Sequence, residues 1–357
     1  MKIYLRYIGR EASSAILLVL LAFLALFAFF DMLGEMKNVG QGGYQLHHAF
    51  AFVLLRVPGR AYELMPIGVL IGTLYALSTL ARHSEITVLR VSGLSTRSLL
   101  FALFRVAGIF AIATFLIGEY VAPPAERAAQ QMRLKERGKM VGQDLRSGLW
   151  VKDERNFINV RVVMPDTRLR GIRIFEFDDH AKLRSVTEAT EGVHVVPDSW
   201  RLKNVVQTIL SDKHAEITRT PEMLWNSALN PEILAVLMVS PDGMSLRHLS
   251  AYTKHLADNR QITSRYDIAF WKKMIYPLAA FVMVALALPF GSTHSRVVGS
   301  GLKIFAGVMI GIFFYMLNGL FSNLGAINSW SPLLSAATPS TLFLLAAIMM
   351  IRWVERR

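Results

Sequence analysis

The sequence predicts an α-helical membrane protein with six transmembrane helices and an inserted extracytoplasmic all-β domain of the sandwich or jellyroll type. Hydrophobic residues make up 53% of the 357-residue chain, and several apolar runs approach the roughly 20 residues that a spanning helix needs. The middle of the chain changes to short alternating polar and apolar segments, which are typical of antiparallel strands with one buried face. The chain contains no cysteine, which excludes disulfide and thiolate chemistry.

Three apolar runs precede the β region and three follow it. The six spans are predicted at about residues 11–33, 49–80, 98–121, 271–290, 301–323 and 332–351. We expect Pro123 and Pro124 to end the third helix. Basic residues near the N-terminus, in the 82–97 loop and in the C-terminal tail place these segments in the cytoplasm. Residues 124–269 carry 22 basic and 19 acidic side chains, whereas the rest of the chain, which contains the spans, carries 17 basic and 7 acidic ones. Most of the excess positive charge therefore flanks the membrane spans, which indicates contact with anionic lipid rather than nucleic acid.

The β region is predicted from about residue 140 to residue 225. Trp200 and Leu202 alternate with charged neighbours, and Ala215 and Ile217 do the same further along the chain. Helical patterns flank the region and lead back to the membrane. The predicted division is residues 1–124 for three spans and a loop helix at 84–93, 125–262 for the β domain and 263–357 for the last three spans.

The loop between the second and third spans, residues 82–97, predicts a short helix. Ser84 can cap its first turn, Glu85 lies where the helix dipole favours an acid, and Gly93 suits a left-handed stop. Two interpretations remain open: a connector at the membrane surface, or a docking helix for a cytoplasmic partner with Glu85 as the charged contact. The residues assigned to docking are Ser84, Glu85, Arg90 and two apolar residues of one face, Ile86 and Leu89.

Two pairs of glycines indicate close helix packing. Gly68 and Gly72 in the second span, and Gly307 and Gly311 in the fifth, have the small-xxx-small spacing that lets helix backbones approach each other. We expect both pairs to face neighbouring helices.

Motifs of catalysis are missing from the sequence. There is no Gly-x-x-x-x-Gly-Lys-Ser/Thr for ATP, no His-Glu-x-x-His for a metal and no serine in a nucleophile elbow. We therefore expect no catalytic residues, no metal and no cofactor in this chain. A membrane enzyme that uses Glu63 or Glu119 is a weaker alternative.

Several segments together resemble the LptF/LptG permeases of the lipopolysaccharide ABC exporter of Gram-negative bacteria, over essentially the whole chain. These segments are Gly40–Tyr44, Ser84–Gly93, Gly118–Pro123, Leu149–Lys152, Asn156 with Phe157, and Trp271–Lys273 with Pro277. The middle segments resemble the LptG branch more than the LptF branch.

The resemblance implies a fold, a function and a set of partners. It implies an inner-membrane permease with a periplasmic jellyroll, paired with the sister permease LptF and with two copies of the ATPase LptB, which bind the ATP. It implies LptC and the periplasmic bridge LptA as further partners, and lipopolysaccharide that enters from the outer leaflet of the inner membrane. The 84–93 helix would couple to the ATPase. The alternative is a non-transporting interaction protein that relays ATPase motion to a periplasmic partner.

Basic residues at the outer ends of the spans are the candidates for substrate binding. Lys37, Arg60 and Arg133 map to this boundary, where the positive-inside rule disfavours them, and arginine and lysine pair strongly with the phosphates of an anionic glycolipid. The resemblance puts Lys37 and Arg133 near positions that contact the lipopolysaccharide head, and Asp31 completes the predicted group. The alternative is that these residues bind ordinary phospholipid headgroups or pair with nearby acids. Those acids are Asp31, Glu35 and Glu63.

Overall fold

The computed structural model describes residues 2–137, 148–153, 155–164, 168–178, 180, 182–196, 199–211, 214–227, 240–259, 261–292 and 300–356. Among these residues, six helical segments are long and apolar enough to cross a membrane, as the sequence predicts. The helices are α1 Lys2–Met36, α2 Leu46–Arg82, α3 Glu85–Val91, α4 Thr96–Leu116, α5 Ala122–Glu136, α6 Leu246–Asp258, α7 Ser264–Ile275, α8 Ala279–Ser292, α9 Ser300–Ile327 and α10 Pro332–Glu355.

Helix α1 begins nine residues before the predicted start of the first span. The basic N-terminal segment continues the helix because Ile8 and Ala12 extend the stripe that buries Ile16. Gly40–Tyr44 then turns the chain, and Gly42 has a φ of +62° with Arg137 O only 2.6 Å from where a Cβ would lie. This turn therefore packs against the end of α5, and Gly43 N–H donates to Glu136 O at 2.8 Å.

The third span does not end at its proline pair, so that prediction is wrong. A π-helical turn, Ile117–Val121, follows α4 and leads directly into α5. The wider turn bonds Ala122 N–H to Ile117 O, and the two prolines, which have no N–H to donate, follow this turn at the start of α5. One helical path from Thr96 to Glu136 results.

Helix α2 lies at the centre of the bundle and packs against α1, α5, α8 and α9. A Cβ at Gly72 would lie 2.4 Å from the backbone Cα of Ile16, and one at Gly307 would lie 2.4 Å from Leu74 Cδ1. Both predicted glycine pairs therefore mark close helix contacts, Gly68 and Gly72 with α1 and Gly307 and Gly311 with α2. Leu70, Leu74 and Leu77 are completely buried in this core.

The described residues between Leu149 and Asn226 form an antiparallel sheet, which confirms the inserted β domain. The described strands pair in chain order, with Trp200 opposite Trp225. Trp200 and Leu202 are fully buried, together with Ile158, Val160 and Leu169. The strands are β1 Leu149–Asp153, β2 Asn156–Val163, β3 Leu169–Phe177, β4 Leu183–Val196, β5 Ser199–Leu210 and β6 Ala215–Asn226.

Strand β6 forms as predicted, but its first half has no buried face. Ala215 and Ile217 are both exposed, since β6 is the last strand of the described sheet and pairs there only with β5. Helix α6 returns the chain to the bundle, and the Ser245 hydroxyl at its N-cap accepts from His248 N–H at 3.3 Å.

Candidate functional site

Charged side chains gather where the C-terminal end of α1 and the N-terminal half of α2 meet α5. Asp31 and Glu35 lie one turn apart on α1 and so share a face. Arg56 and Arg60 have the same spacing on α2, and α5 contributes Arg133 and Glu126. We call this group the arginine–carboxylate cluster; its members are Asp31, Glu35, Arg56, Arg60, Glu63, Glu126 and Arg133.

Arg60 donates hydrogen bonds to two carboxylates of the cluster through three of its nitrogen atoms. Its Nε donates to Asp31 Oδ2 at 3.0 Å and its Nη2 to Asp31 Oδ1 at 2.8 Å. Its Nη1 donates to Glu63 Oε2 at 3.0 Å. The paired bonds to Asp31 match the fork of the guanidinium to the two carboxylate oxygens, which is the strong form of this interaction. They tie α1 to α2 across 29 residues of sequence.

Arg133 joins the same end of α1 to α5 through Glu35. Its Nη1 donates to Glu35 Oε1 at 3.1 Å. Glu35 is buried, and its Oε2 also accepts from Asn38 Nδ2 at 2.9 Å and from Tyr44 Oη at 3.2 Å. Burial, with the nearby charge of Glu35, raises the pKa of Tyr44 to about 12.

Arg56 connects these two pairs. Its Nη1 lies 3.8 Å from Asp31 Oδ1 and its Nε 3.4 Å from Glu126 Oε2. The guanidinium carbons of Arg56 and Arg133 lie 5.6 Å and 4.7 Å from the centroid of the Phe52 ring, within the range of cation–π attraction. The sequence analysis did not single out Arg56 or Glu126 as site residues. The four-residue spacing of Arg56 and Arg60, which puts both on one face of α2, could have indicated Arg56.

The structure brings Arg60, Arg133 and Asp31 of the predicted substrate group together, and leaves Lys37 apart. Lys37 is exposed beyond the end of α1, and its carbonyl accepts from Gln41 Nε2 at 2.9 Å. The acid pairs named as the alternative are present, with Arg60 on Asp31 and Glu63 and Arg133 on Glu35. Substrate binding by this group remains a prediction.

A cavity of about 280 Å³ lies beside the cluster, between α2, α7 and α9. Lys273 on its wall is buried and donates to Met244 O, and Tyr276 Oη donates to Glu63 O at 2.6 Å. Glu119 accepts from Leu246 N–H at 2.8 Å, at the start of α6. The two glutamates of the enzyme alternative thus have structural contacts, and the described residues contain no group of three or more potential metal ligands.

The loop helix α3 lies at the other end of the bundle. Glu85 is in its first turn and accepts from Tyr7 Oη at 2.7 Å. Ile86 is buried and Leu89 packs against the bundle core, whereas Val88 and Val91 are exposed.

The ends of α3 agree only partly with prediction. Ser84 holds the N-cap position, but it adopts a left-handed φ of 61° and its side chain makes no capping hydrogen bond, so the predicted cap is wrong. The N-cap backbone turns away from the extended conformation that would aim the hydroxyl at the helix N–H groups. Gly93 has a φ of +93°, as a left-handed stop requires, and Arg90 lies in the last turn.

Six apolar helices, a helix in a loop between two of them and an inserted β sheet define a multi-pass membrane protein. The family described as lipopolysaccharide export system permease LptF/LptG matches residues 6–353. The chain belongs to this family. It is 31% identical to the lipopolysaccharide export system permease protein LptG of Escherichia coli K12 over 351 residues, 97% of each chain. It is 29% identical to LptG of Haemophilus influenzae over 353 residues, 99% of this chain and 98% of the relative.

Proposed function

We propose that this chain is the permease subunit of an ABC transporter that extracts lipopolysaccharide from the outer leaflet of the inner membrane. The transporter passes the lipid to a periplasmic bridge for export to the outer membrane. The observation that carries this proposal is the family match over residues 6–353, which covers all six spans and the inserted sheet. The LptG names of the relatives favour the LptG position in the complex.

The LptG position implies the other members of the proposed transporter complex. The sister permease is LptF, two copies of LptB bind and hydrolyse ATP, LptC is the bitopic partner and LptA forms the periplasmic bridge. This chain holds no ATPase site of its own and needs no cofactor; its sequence lacks a phosphate-binding loop. The β sheet and the arginine–carboxylate cluster lie on the periplasmic side, and α3 lies in the cytoplasm.

The proposed binding site for the phosphorylated head consists of Lys37, Arg60 and Arg133 with Asp31. Support comes from the position of these residues at one end of the bundle and from the affinity of guanidinium groups for phosphate oxygens. Lys37→Gln with Arg133→Gln is expected to lower the lipid that co-purifies while the complex still assembles. Arg105→Gln is the matched control, because Arg105 is exposed on α4 nearer the opposite end of the bundle.

The proposed function is tested by purifying the complex through a tag on this chain and identifying its proteins and lipid by mass spectrometry. LptF, LptB and LptC with bound lipopolysaccharide are the expected result. The same proteins without lipid, in a complex that hydrolyses ATP, would favour the relay alternative. A chain that purifies without any of these proteins would refute the proposed transporter.

A further inference from the structure

We propose that Asp31 occupies the phosphate-binding edge of Arg60, and that an anionic headgroup binds there by displacing this carboxylate. The exchange would release the outer end of α1 from α2. This inference rests on the proposed head-binding site and adds to it the group that the substrate must replace. The ligand chemistry is a phosphomonoester on a lipid, whose oxygens bond to guanidinium in the same way as those of a carboxylate.

The geometry of Arg60 requires an exchange rather than an addition. Its Nε and Nη2 atoms, which together form one bidentate edge, are both bonded to Asp31. Its Nη1 is bonded to Glu63, so the remaining edge lies between two carboxylates that repel a second anion. A phosphate can therefore bond to two nitrogens of Arg60 favourably only where Asp31 now lies.

The charge of the cluster leads to the same conclusion. Three arginines face four carboxylates among its members. Adding a phosphate of about −1.5 to −2 charges to this group would increase an existing excess of negative charge. Removing one carboxylate as the phosphate enters reduces that cost, and the phosphate then lies between Arg60 and Arg56, whose Nη1 is already 3.8 Å from Asp31 Oδ1.

Asp31 is better suited to exchange than Glu35. Within the described residues, the polar contacts of the Asp31 side chain are with Arg56 and Arg60 alone. Glu35 is more deeply buried and also accepts from Asn38 and Tyr44, so it would lose two further bonds on leaving Arg133. Glu35 therefore keeps α1 attached to α5 while the contact between Asp31 and Arg60 opens.

The exchange has a structural consequence because its two partners lie on different helices. Asp31 is on α1 and Arg60 on α2, so a phosphate that takes the place of Asp31 removes the ion pair between their outer ends. Glu63 is on the same helix as Arg60, and its displacement would leave the two helices in place. Headgroup binding and movement of α1 are thus linked through one carboxylate.

The binding test uses the assembled complex in nanodiscs and two probes, lipopolysaccharide with its phosphates intact and the same lipid after enzymatic dephosphorylation. Asp31→Asn keeps the size of the side chain and removes the competing charge. We expect it to bind the phosphorylated lipid on the order of threefold to tenfold more tightly, with no change for the dephosphorylated lipid. Glu188→Gln is the matched control, because Glu188 is an exposed carboxylate that pairs with Arg173 outside the cluster; it should leave affinity unchanged, and Arg60→Gln should weaken binding.

A second measurement follows α1 directly. Leu33 on α1 and Leu54 on α2 are exposed, and the chain contains no cysteine. Spin labels at Leu33→Cys and Leu54→Cys, with partner subunits free of reactive cysteines, report the distance between the two helices. The phosphorylated lipid should lengthen that distance in the wild-type background, and Asp31→Asn should lengthen it without lipid.

The outcomes separate the inference from the function on which it rests. If the wild-type complex binds neither probe, the proposed function fails. If Arg60→Gln binds the phosphorylated lipid as well as wild type does, the proposed head site fails at Arg60 and the exchange fails with it. If Arg60→Gln and Asp31→Asn both weaken binding, the head site stands and Asp31 positions Arg60, which overturns the exchange. An unchanged label distance overturns the release of α1.

Discussion

The Oη atom of Tyr7 donates a 2.7 Å hydrogen bond to Oε2 of Glu85, and this bond joins the first transmembrane helix to the loop helix α3. The chain connects α3 directly only to the second and third spans. The side-chain contact adds α1, whose C-terminal end carries Asp31 and Glu35. Helix α3 is therefore joined to α1 by a hydrogen bond as well as to α2 by the chain, and both helices contribute to the arginine–carboxylate cluster.

Tyr7→Phe is expected to loosen this connection without disturbing assembly. Because this hydrogen bond is exposed to solvent, its loss should weaken the connection only modestly, and we expect lipid transport per ATP hydrolysed to fall roughly two- to fivefold. The measurement compares ATPase activity and lipid release in one reconstituted preparation. Tyr4→Phe is the control, since the described contacts of Tyr4 are apolar packing against the core. Equal effects of the two variants would show that the Tyr7 hydroxyl has no special role.

Gly72→Val is expected to destabilise the bundle strongly. Its Cβ would lie 2.4 Å from the Cα of Ile16, so the α1 backbone must move. Overpacking of this kind costs about 1–3 kcal/mol or more, and thermal unfolding of the purified complex should begin at a clearly lower temperature. Gly319→Ala, on α9, has nothing within 4 Å of its Cβ and should be neutral or slightly stabilising. Similar melting curves for both variants would contradict the close α1–α2 contact.

The topology can be tested by labelling single cysteines in the otherwise cysteine-free chain. Arg184 on β4 has a 68% exposed side chain, and Val91 on α3 is 85% exposed. We expect Arg184→Cys to react with an impermeant reagent from the periplasmic side of intact cells, and Val91→Cys to react only after the inner membrane is opened. The reverse pattern would invert the proposed orientation.

The sequence predicted the parts of the fold that depend on local patterns, and the predictions failed where a change of hydrogen-bond register or a partner on another helix decided. Apolar runs located the six spans, and Trp200 with Leu202 located a strand, because periodicity is a local property. The continuation of the third span past Pro123 depends on a π-helical turn that shifts the hydrogen-bond register. The sequence offered the pairing of Arg60 with Asp31 only as an alternative to substrate binding, because that pairing depends on which helices pack together and periodicity along one helix carries no record of that choice.

Glu85 is the residue on which the proposed coupling role of α3 can be tested most sharply. It lies in the first turn of α3 beside buried Ile86, with Val88 and Val91 exposed nearby, so the helix presents an acid and an apolar surface on the proposed cytoplasmic side. We expect a basic residue of the ATPase to contact this carboxylate. Removing one partner of a partly buried pair can cost several kcal/mol, whereas an exposed pair contributes about 0–1 kcal/mol.

The three substitutions Glu85→Gln, Glu85→Ala and Glu85→Arg remove progressively more of that contact. Gln keeps the size and a hydrogen-bond acceptor for Tyr7, Ala removes both, and Arg places like charges together. We therefore expect ATPase coupling and lipid release to fall least for Gln and most for Arg, with assembly measured beside them by co-purification. Because Tyr7→Phe removes only the internal bond, a much larger loss for Glu85→Arg would assign the difference to the ATPase contact. Wild-type assembly and transport by Glu85→Arg would leave α3 as a connector between two spans.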